Sequence, residues 1–398
     1  MSTEERLPGG PAWHDFCSRL ERAGDELAER TDDISTVERS EGVPYLLGLV
    51  SSAIQIATRF ADPDRPHFIR NPDSVTRWGS ETADCLYLFA GIRGAGSYVV
   101  RGRRNNVEGF FVEVKEGYMQ LGETRIFATL SDDELKYDED GTFEILLCAE
   151  RPRGYEGNWM ALHADARCVG VWQFFGDWEN ERHASFEIVR PDSEGSPPPP
   201  MSLEDAAEML ETAATWVEAS ASAWLKWYEG VLAALSPNTL PEAVSFSGAG
   251  GPPAVLYGTG RYQLGLDEAL IVESAVPSAR WWSFELADPW FTAMEYANHQ
   301  TSLNHRQARI DNDGLVRCVV AHSDPGVPNW LDASGHEAGL LQCRWVWSND
   351  NPVATTRKVK LSSLREHLPA ETPAVTTEER RRAIAIRQRH VARRESAS

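Results

Sequence analysis

Hydrophobic positions recur at helical spacing in several parts of the chain. Over residues 11–31 the apolar side chains fall on one face, which predicts an amphipathic helix. A second helix is predicted from about Pro44 to Phe60, because proline suits a first helical turn. The clearest periodicity predicts a third, longer helix after Ser202, with a continuous apolar stripe. The stripe consists of Leu210, Ala214, Val217, Ala221, Trp224, Tyr228, Val231 and Leu235.

Elsewhere the pattern changes to short runs of β-branched and aromatic residues separated by turn residues. The predicted strands of the N-terminal half are Cys85–Ile92, Tyr98–Arg101, Gly109–Val114 and Thr142–Cys148. Those of the C-terminal half are Ala254–Tyr257, Ala269–Ser274, Trp281–Leu286, Gln307–Ile310, Leu315–Ala321, Leu340–Trp347 and an edge strand at Val359–Leu361. Short, regular spacing and a turn such as Asp311–Gly314 are typical of antiparallel hairpins, not of alternating βα units.

The run of four prolines at Pro197–Pro200 is the clearest boundary, because polyproline forms a stiff spacer. We therefore predict a mainly β protein with helical additions, in which two antiparallel β-sandwich-like units are joined by a long amphipathic helix. The predicted domains are a helical cap with a β unit (1–195), the spacer and connecting helix (196–240), a second β-sandwich unit (241–368) and a basic helical tail (369–398).

The composition limits the partners. A net charge of −21 over 398 residues argues against nucleic acid or an anionic membrane. Residues 376–398 hold seven arginines and three glutamates, a local +4, and we interpret them as a tail that folds back onto the acidic body. The six cysteines are scattered, as in reduced, packed thiols. The first ten residues lack a signal-peptide pattern, and the apolar segment 43–60 is interrupted by polar residues, so a cytoplasmic location is expected.

The usual catalytic signatures are absent, namely the nucleophile elbow, the phosphate-binding loop and the zinc-protease motif. His322 and Asp324 stand two residues apart at a strand end and so point to the same side. With a third ligand such as His336 or His367 they would form the facial triad of a non-heme iron oxygenase. The simpler interpretation is that Asp324 accepts backbone N–H bonds in the turn that it opens.

The loop from Asp324 to Asp332 is the most constrained segment. Pro325 fixes φ, Gly326 permits positive φ, and Pro328 restricts the residue before it. Such a loop, with Trp330 as its anchor, suits a rigid corner that docks one sheet on another. A rigid corner lined by aromatic and carboxylate groups also suits a ligand site, so both interpretations stay open.

Three further features are candidates for binding. The polar run Gln300–Asn304 can cap a turn or contact a ligand. Arg77 and Asp84 precede a predicted strand, where an Arg–Asp pair can fix the strand end or take part in a site. The tryptophans, Trp290 among them, would suit carbohydrate or apolar-metabolite binding where they are exposed, although most tryptophan surface is normally core.

Several spaced elements of the C-terminal half agree in order with a known pattern. These elements are Gln300–Asn304, Asp311–Gly314, Asp324–Gly326, Asn329–Asp332, Gly335, Gly339, Arg344-Trp345 and Pro352. Over roughly residues 255–365 the chain thereby resembles the bacterial family catalogued as domain of unknown function 1214. Members often carry an N-terminal β domain of unknown function 1254, whose pattern residues 1–195 do not clearly show. The resemblance implies an antiparallel β-sandwich and no particular chemistry.

The leading hypothesis is that the protein binds a small largely apolar metabolite in a cleft between the two β units. A stronger form of this hypothesis is that the protein also transforms the metabolite. The ligand-binding candidates are Gln300, Asn304, Asn329, Trp330, Trp290 and Arg77, and the catalytic candidates are Asp324 or Asp332 as base with Arg344 as anion clamp. The alternatives are a non-catalytic carbohydrate- or protein-binding module and, least favoured, the iron oxygenase. The sequence leaves the cofactor, the oligomeric state and enzymatic activity itself open.

Overall fold

The computed structural model describes residues 10–29 and 34–396. The α-helices are α1 (Pro11–Glu29), α2 (Thr36–Gln55, extended by a π-helical turn Ile56–Phe60), α3 (Leu203–Ala234) and α4 (Thr377–Ser396). Short 3-10 turns lie at Met119–Leu121, Asp132–Glu134, Ser247–Ala249 and Leu361–His367. Three of the four helices lie where the sequence predicts them, although residues 30–31 of the first prediction lie outside the described residues.

Helix α2 begins eight residues before the predicted Pro44. Ser35 and Glu38 form a capping box, in which the Ser35 hydroxyl accepts a hydrogen bond from the backbone of Glu38, and the Glu38 carboxylate accepts one from the backbone of Ser35 at 2.6 Å. These bonds satisfy N–H groups at the helix start, so the helix begins at Thr36 and Pro44 lies inside it. The first-turn placement of Pro44 was therefore wrong.

The segment Thr36–Phe60 is 25 residues long and is apolar enough to cross a membrane by length and composition alone. Buried helices of soluble proteins meet the same criterion, and 39% of its most apolar window is buried inside the protein. The cytoplasmic location stays a prediction.

The chain divides into two compact units. Of the described residues, those up to 78, 86–173 and 183–224 form the first unit, and 79–85, 174–182 and 225–396 form the second. The strands of the first unit are β1 (Ile69–Arg70), β2 (Cys85–Gly91), β3 (Tyr98–Arg103), β4 (Gly109–Lys115), β5 (Ile126–Ser131), β6 (Thr142–Cys148), β7 (Asn158–Ala161), β8 (Cys168–Phe174) and β9 (Ser185–Val189). They form two sheets, β1-β2-β8-β4-β5 and β7-β6-β3-β9.

The second unit also contains nine strands among the residues described. They are β10 (Val244–Ser245), β11 (Val255–Gln263), β12 (Glu268–Ala275), β13 (Ala279–Ala287), β14 (Ser302–Asn304), β15 (Leu315–Ala321), β16 (Trp330–Asp332), β17 (Ala338–Ser348) and β18 (Thr355–Lys360). Their sheets are β10-β11-β17-β13-β14 and β16-β15-β12-β18. The core between these sheets is apolar, with Trp282, Phe284, Tyr262 and Trp345 among its largest buried side chains.

The two units have the same topology. Adding nine to each strand number of the first unit reproduces both sheets of the second. The parallel pairs correspond as well, β6 with β7 and β15 with β16. Each unit is therefore a complete two-sheet sandwich, as the sequence predicts, and the second repeats the first.

The repetition extends to the sequence. Leu130 and Leu303 each stand eight residues before an Asp-x-Asp-Gly turn, at Asp138–Gly141 and Asp311–Gly314. Both glycines adopt a left-handed φ, 81° and 82°. Each glycine N–H donates to the carbonyl of the first aspartate, at 2.9 and 3.0 Å. The predicted hairpin turn at Asp311–Gly314 is confirmed, and the turn of the first unit has the same geometry.

The prediction of a strand at Gln307–Ile310 was wrong. Only a single bridge between Ile310 and Val316 is present there. The chain pairs earlier, at Ser302–Asn304, because Asn304 then caps the following turn by accepting hydrogen bonds from the backbone of Arg306 and Gln307.

Candidate functional site

Asn329, a predicted ligand residue, is a structural clamp. Its side-chain amide donates to the carbonyls of Arg309 and Arg317, at 2.7 and 3.0 Å, and its oxygen accepts from the backbone of Arg309 at 2.7 Å. Its φ of 55° is left-handed, which asparagine tolerates better than most residues. All three side-chain groups that could contact a ligand are used to join two segments of the backbone.

The first unit contains the same clamp at Asn158. Its side-chain amide donates to the carbonyls of Lys136 and Glu144, both at 2.9 Å, and its oxygen accepts from the backbone of Lys136 at 2.8 Å. A tryptophan follows the asparagine in both units. Part of what looks like a site motif in the C-terminal loop is thus a requirement of the repeated fold.

We expect Asn329→Ala to lower the free energy of unfolding by about 2–4 kcal/mol. The change removes three hydrogen bonds of a buried amide and places alanine at a positive φ. Chemical denaturation of the purified variant measures this. Asn312→Ala, in the exposed hairpin turn, is the matched control and should change stability by less than about 0.5 kcal/mol. Equal effects of the two substitutions would contradict the structural role of Asn329.

Two of the predicted residues, Asn304 and Arg344, lie in one row across a sheet. Asn304 on β14 pairs with Ser283 on β13, which pairs with Arg344 on β17, which pairs with Tyr257 on β11. Residues paired directly across strands point to the same face. Glu285 lies two positions along β13 and therefore shares this face. The face is opposite the apolar core, and its central members are buried.

The guanidinium of Arg344 is bonded to other groups inside the protein. Its guanidinium forms an ion pair with Glu285 and donates to the carbonyl of Ser80 at 2.6 Å. It also lies 5.7 Å from the centre of the Tyr257 ring. Glu285 in turn accepts from Thr82 at 2.9 Å. The anion that Arg344 holds in this structure is Glu285, while its role towards a ligand stays a prediction.

Asn304 binds the buried carboxylate of Asp84, which the sequence analysis considered as one member of an Arg–Asp pair at a strand end. The Asn304 amide and the Trp178 indole both donate to one oxygen of Asp84, at 2.5 and 2.8 Å. Burial raises the pKa of Asp84 to about 6, against the opposing effect of these hydrogen bonds. The charges of Arg387 and Arg394 also lower this pKa.

Helix α4 supplies an unusual polar surface to this region. Arg387, His390 and Arg394 are all buried, at helical spacing, where apolar residues normally stand. Arg387 donates to the carbonyl of Tyr296, and Arg394 donates to that of Ala83. Burial and the neighbouring arginines lower the pKa of His390 well below its usual value. The basic tail therefore packs on its own chain.

The loop from Asp324 to Asp332 is bonded both within itself and to helix α4. Asp324 accepts from the backbone of Gly326 at 2.9 Å, as the turn interpretation predicts, and pairs with Arg380 of α4 at 3.0 Å. Trp330 donates to the carbonyl of Ala321 at 2.9 Å. The Arg380 guanidinium lies 5.1 Å from the centre of the Trp330 ring. Hydrogen bonds and a cation–π contact hold the corner from both sides.

Asp332 and Gln300 also form hydrogen bonds in this region. Asp332 accepts from the backbone of Ser334 at 2.8 Å and lies 2.8 Å from a ring nitrogen of His299. The Gln300 amide donates to the carbonyl of Trp330 at 2.5 Å. Asp324, Asp332 and Trp330 belong to the β15–β16 edge, so the structure does not bring them into the row of Asn304 and Arg344.

The other candidates lie elsewhere. Trp290 is buried, with 2% of its surface exposed, and Arg77 is half-buried in the first unit. His322 lies 3.1 Å from the carbonyl of Leu264, whereas Asp324 is paired with Arg380. Residues 10–29 and 34–396 contain no group of three or more His, Cys, Asp or Glu side chains that could hold a metal. The iron-site pair thus has other partners.

A groove that the sequence did not indicate lies within the second unit. It has a volume of about 460 Å³. It is lined by α3, β10, β11 and the connections between them, through Lys226, Trp227, Gly230, Val231, Ala234, Leu235, Pro241, Glu242, Val244, Phe246, Tyr257 and Thr259. Three half-buried aromatic rings follow one another along it. The Trp227 and Phe246 centres are 5.5 Å apart, and those of Phe246 and Tyr257 are 5.6 Å apart.

The corresponding face of the first unit is aromatic. Phe111 pairs with Ser131 at the position where Ser283 pairs with Asn304. Tyr87 contacts Trp172 of β8 with ring centres 4.7 Å apart, whereas Tyr257 contacts Arg344 of β17. The repeated scaffold therefore tolerates an apolar face at these positions. The polar groups of the second unit are not a requirement of the fold.

One polar position is shared by both faces. Glu113 pairs with Thr129, directly before Leu130, and Glu285 pairs with Ser302, directly before Leu303. Both glutamates are buried. Among the described residues no group donates a hydrogen bond to the Glu113 carboxylate, and the Lys115 ammonium is 4.0 Å away. Burial accordingly raises the pKa of Glu113 to about 7, opposed by the charge of Lys115.

Comparison with known proteins agrees with the duplication. The family model described as protein of unknown function DUF1214 matches residues 93–176 and 254–346. A solved, uncharacterised protein from Burkholderia cenocepacia is 30% identical, with a TM-score of 0.84, covering 91% of this chain and 100% of that one. The VPA0106 protein from Vibrio parahaemolyticus is 12% identical, with a TM-score of 0.48, covering 86% and 100%. No curated protein matches.

The resemblance of residues 255–365 is thereby confirmed, and the N-terminal half, in which no partner pattern was clear, matches the same family model. Neither solved relative has an assigned function in its description. The chain belongs to the family of proteins of unknown function DUF1214, and its β unit occurs twice.

Proposed function

We propose that the second β unit binds a small, largely apolar ligand in the groove between α3 and the β10–β11 edge. The observation that carries this proposal is the row of half-buried aromatic rings, Trp227, Phe246 and Tyr257, along a groove of about 460 Å³. Pockets for small molecules have volumes of this order and are mostly lined by apolar and aromatic groups. Half-exposed aromatic rings gain free energy when a ligand covers them.

The row of paired residues Asn304, Ser283, Arg344 and Tyr257 connects buried polar groups to the groove. Tyr257 lines the groove and also lies against Arg344, which Glu285 and Ser80 hold in place. A ring whose neighbours are fixed loses little conformational freedom when a ligand binds. In this proposal Arg344 is a positioning residue and does not contact the ligand. We propose binding and no reaction.

Two adjacent alanines of α3 provide the test. Ala234 lines the groove, and Ala233 is exposed but does not line it. We expect 1-naphthylmethanol to bind the wild-type protein saturably in isothermal titration calorimetry. Ala234→Trp should weaken this binding at least about tenfold because the new indole fills the groove, and Ala233→Trp should bind like wild type. Absent binding, or equal binding by both variants, would refute the proposal.

A further inference from the structure

The rim of the groove carries two charged side chains of opposite sign. Among the twelve lining residues, Lys226 and Glu242 are the only ionised ones. The Glu242 carboxylate accepts from the Asn351 amide at 3.1 Å. Lys226 is exposed and, among the described residues, its ammonium forms no ion pair or hydrogen bond. Its ammonium is thus the charged group at the rim that is free to meet a ligand.

From this arrangement we infer that the ligand is an amphipathic anion, with an apolar body in the groove and one carboxylate or similar acidic group bound by Lys226. The inference rests on the proposed function. The aromatic rings provide for the apolar body, and the free ammonium provides for the acid.

The charge of the whole protein makes this cation consequential. The net charge of −21 disfavours the approach of anions to the protein as a whole. An acidic ligand therefore depends on a local positive group more than it would on a neutral protein. The pair would be exposed to solvent, so its effect is moderate and sensitive to salt.

A matched pair of probes tests the inference. 1-Naphthoate and 1-naphthylmethanol share the ring system and differ in the charge of the substituent. We expect wild type to bind 1-naphthoate about two- to fivefold more tightly at low salt, which is the range of an exposed ion pair. Lys226→Gln should abolish this preference, because the ammonium that binds the carboxylate is removed. Lys358→Gln, which removes an exposed lysine of β18 in the same unit, should keep the preference.

The outcomes separate the inference from the proposed function. If both probes bind equally, if the alcohol binds more tightly, or if Lys226→Gln keeps the preference, the inference is wrong and the groove remains a site for neutral molecules. If neither probe binds, both statements fail. Ala234→Trp could also change the sedimentation coefficient while the affinities for both probes stay the same. In that case a second copy of the chain covers the groove, and both statements fail.

Discussion

Replacing Arg344 with methionine is expected to lower the free energy of unfolding by about 3–5 kcal/mol. The guanidinium is buried, forms an ion pair with Glu285 and donates to the carbonyl of Ser80. Methionine keeps much of the volume and leaves the Glu285 charge buried without its partner, which is the costly way to break such a pair. Denaturant unfolding followed by circular dichroism measures the loss.

A second substitution identifies the cause. Adding Glu285→Gln to Arg344→Met removes the uncompensated charge, while the glutamine oxygen can still accept from Thr82. We expect the double variant to recover at least about half of the lost stability, because both members of the pair are then neutral. If the double variant is as unstable as the sum of the two single variants, the ion pair is not what Arg344 contributes.

Replacing Glu113 with glutamine is expected to stabilise the first unit by about 1–3 kcal/mol at pH 8. The folded-state pKa of Glu113 is raised to about 7 from an ordinary value of 4.5. The stability contribution of this group is therefore present below about pH 4.5 and is lost as the pH rises through 7. The difference between the two pKa values corresponds to about 3 kcal/mol at most. Glutamine carries no charge, so it removes this loss.

The measurement is denaturant unfolding of wild type and Glu113→Gln at pH 5 and pH 8. The gain should be large at pH 8 and small at pH 5. The repeat supplies the control, since Glu285 stands at the corresponding position but pairs with Arg344. Glu285→Gln should destabilise, because it leaves the guanidinium buried without its anion. The same sign for the two substitutions would contradict the account of the two faces.

The local patterns of the sequence were sufficient to predict the class of fold. The stripe from Leu210 to Leu235 predicts α3, and alternating runs predict the long strands, because these signals depend on neighbouring residues alone. Short strands such as Ser302–Asn304 were missed. Three residues contain too little periodicity, and their pairing with β13 spans an irregular connection that no local pattern indicates.

The duplication could have been predicted from the sequence. The shared Leu, Asp-x-Asp-Gly turn and Asn-Trp pair occur in the same order around Leu130 and Leu303. A comparison of the chain with itself would have shown it, and would have identified Asn329 as a residue that the fold needs in both copies. Compositional reading misses this signal because the rest of the two faces differs, aromatic around Phe111 and polar around Ser283.

The groove could not be predicted in the same way. Its lining residues all fall between 226 and 259, but they lie on the end of α3, on β10 and β11 and on the connections between them, so only the folded backbone brings them together. Asn304 and Arg344 were singled out for their polarity, and they do share a row across the sheet, but of that row only Tyr257 lines the groove. Polarity marks positions that are unusual for a core. It does not distinguish a group that meets a ligand from a group that is satisfied inside the protein.

The most direct test of ligand binding by the second unit is a crystal structure of the protein grown with 1-naphthoate. We predict density for the naphthalene ring among Trp227, Phe246 and Tyr257, with the carboxylate towards Lys226. Density for the probe at another place, with the groove free of it, would contradict ligand binding in this groove.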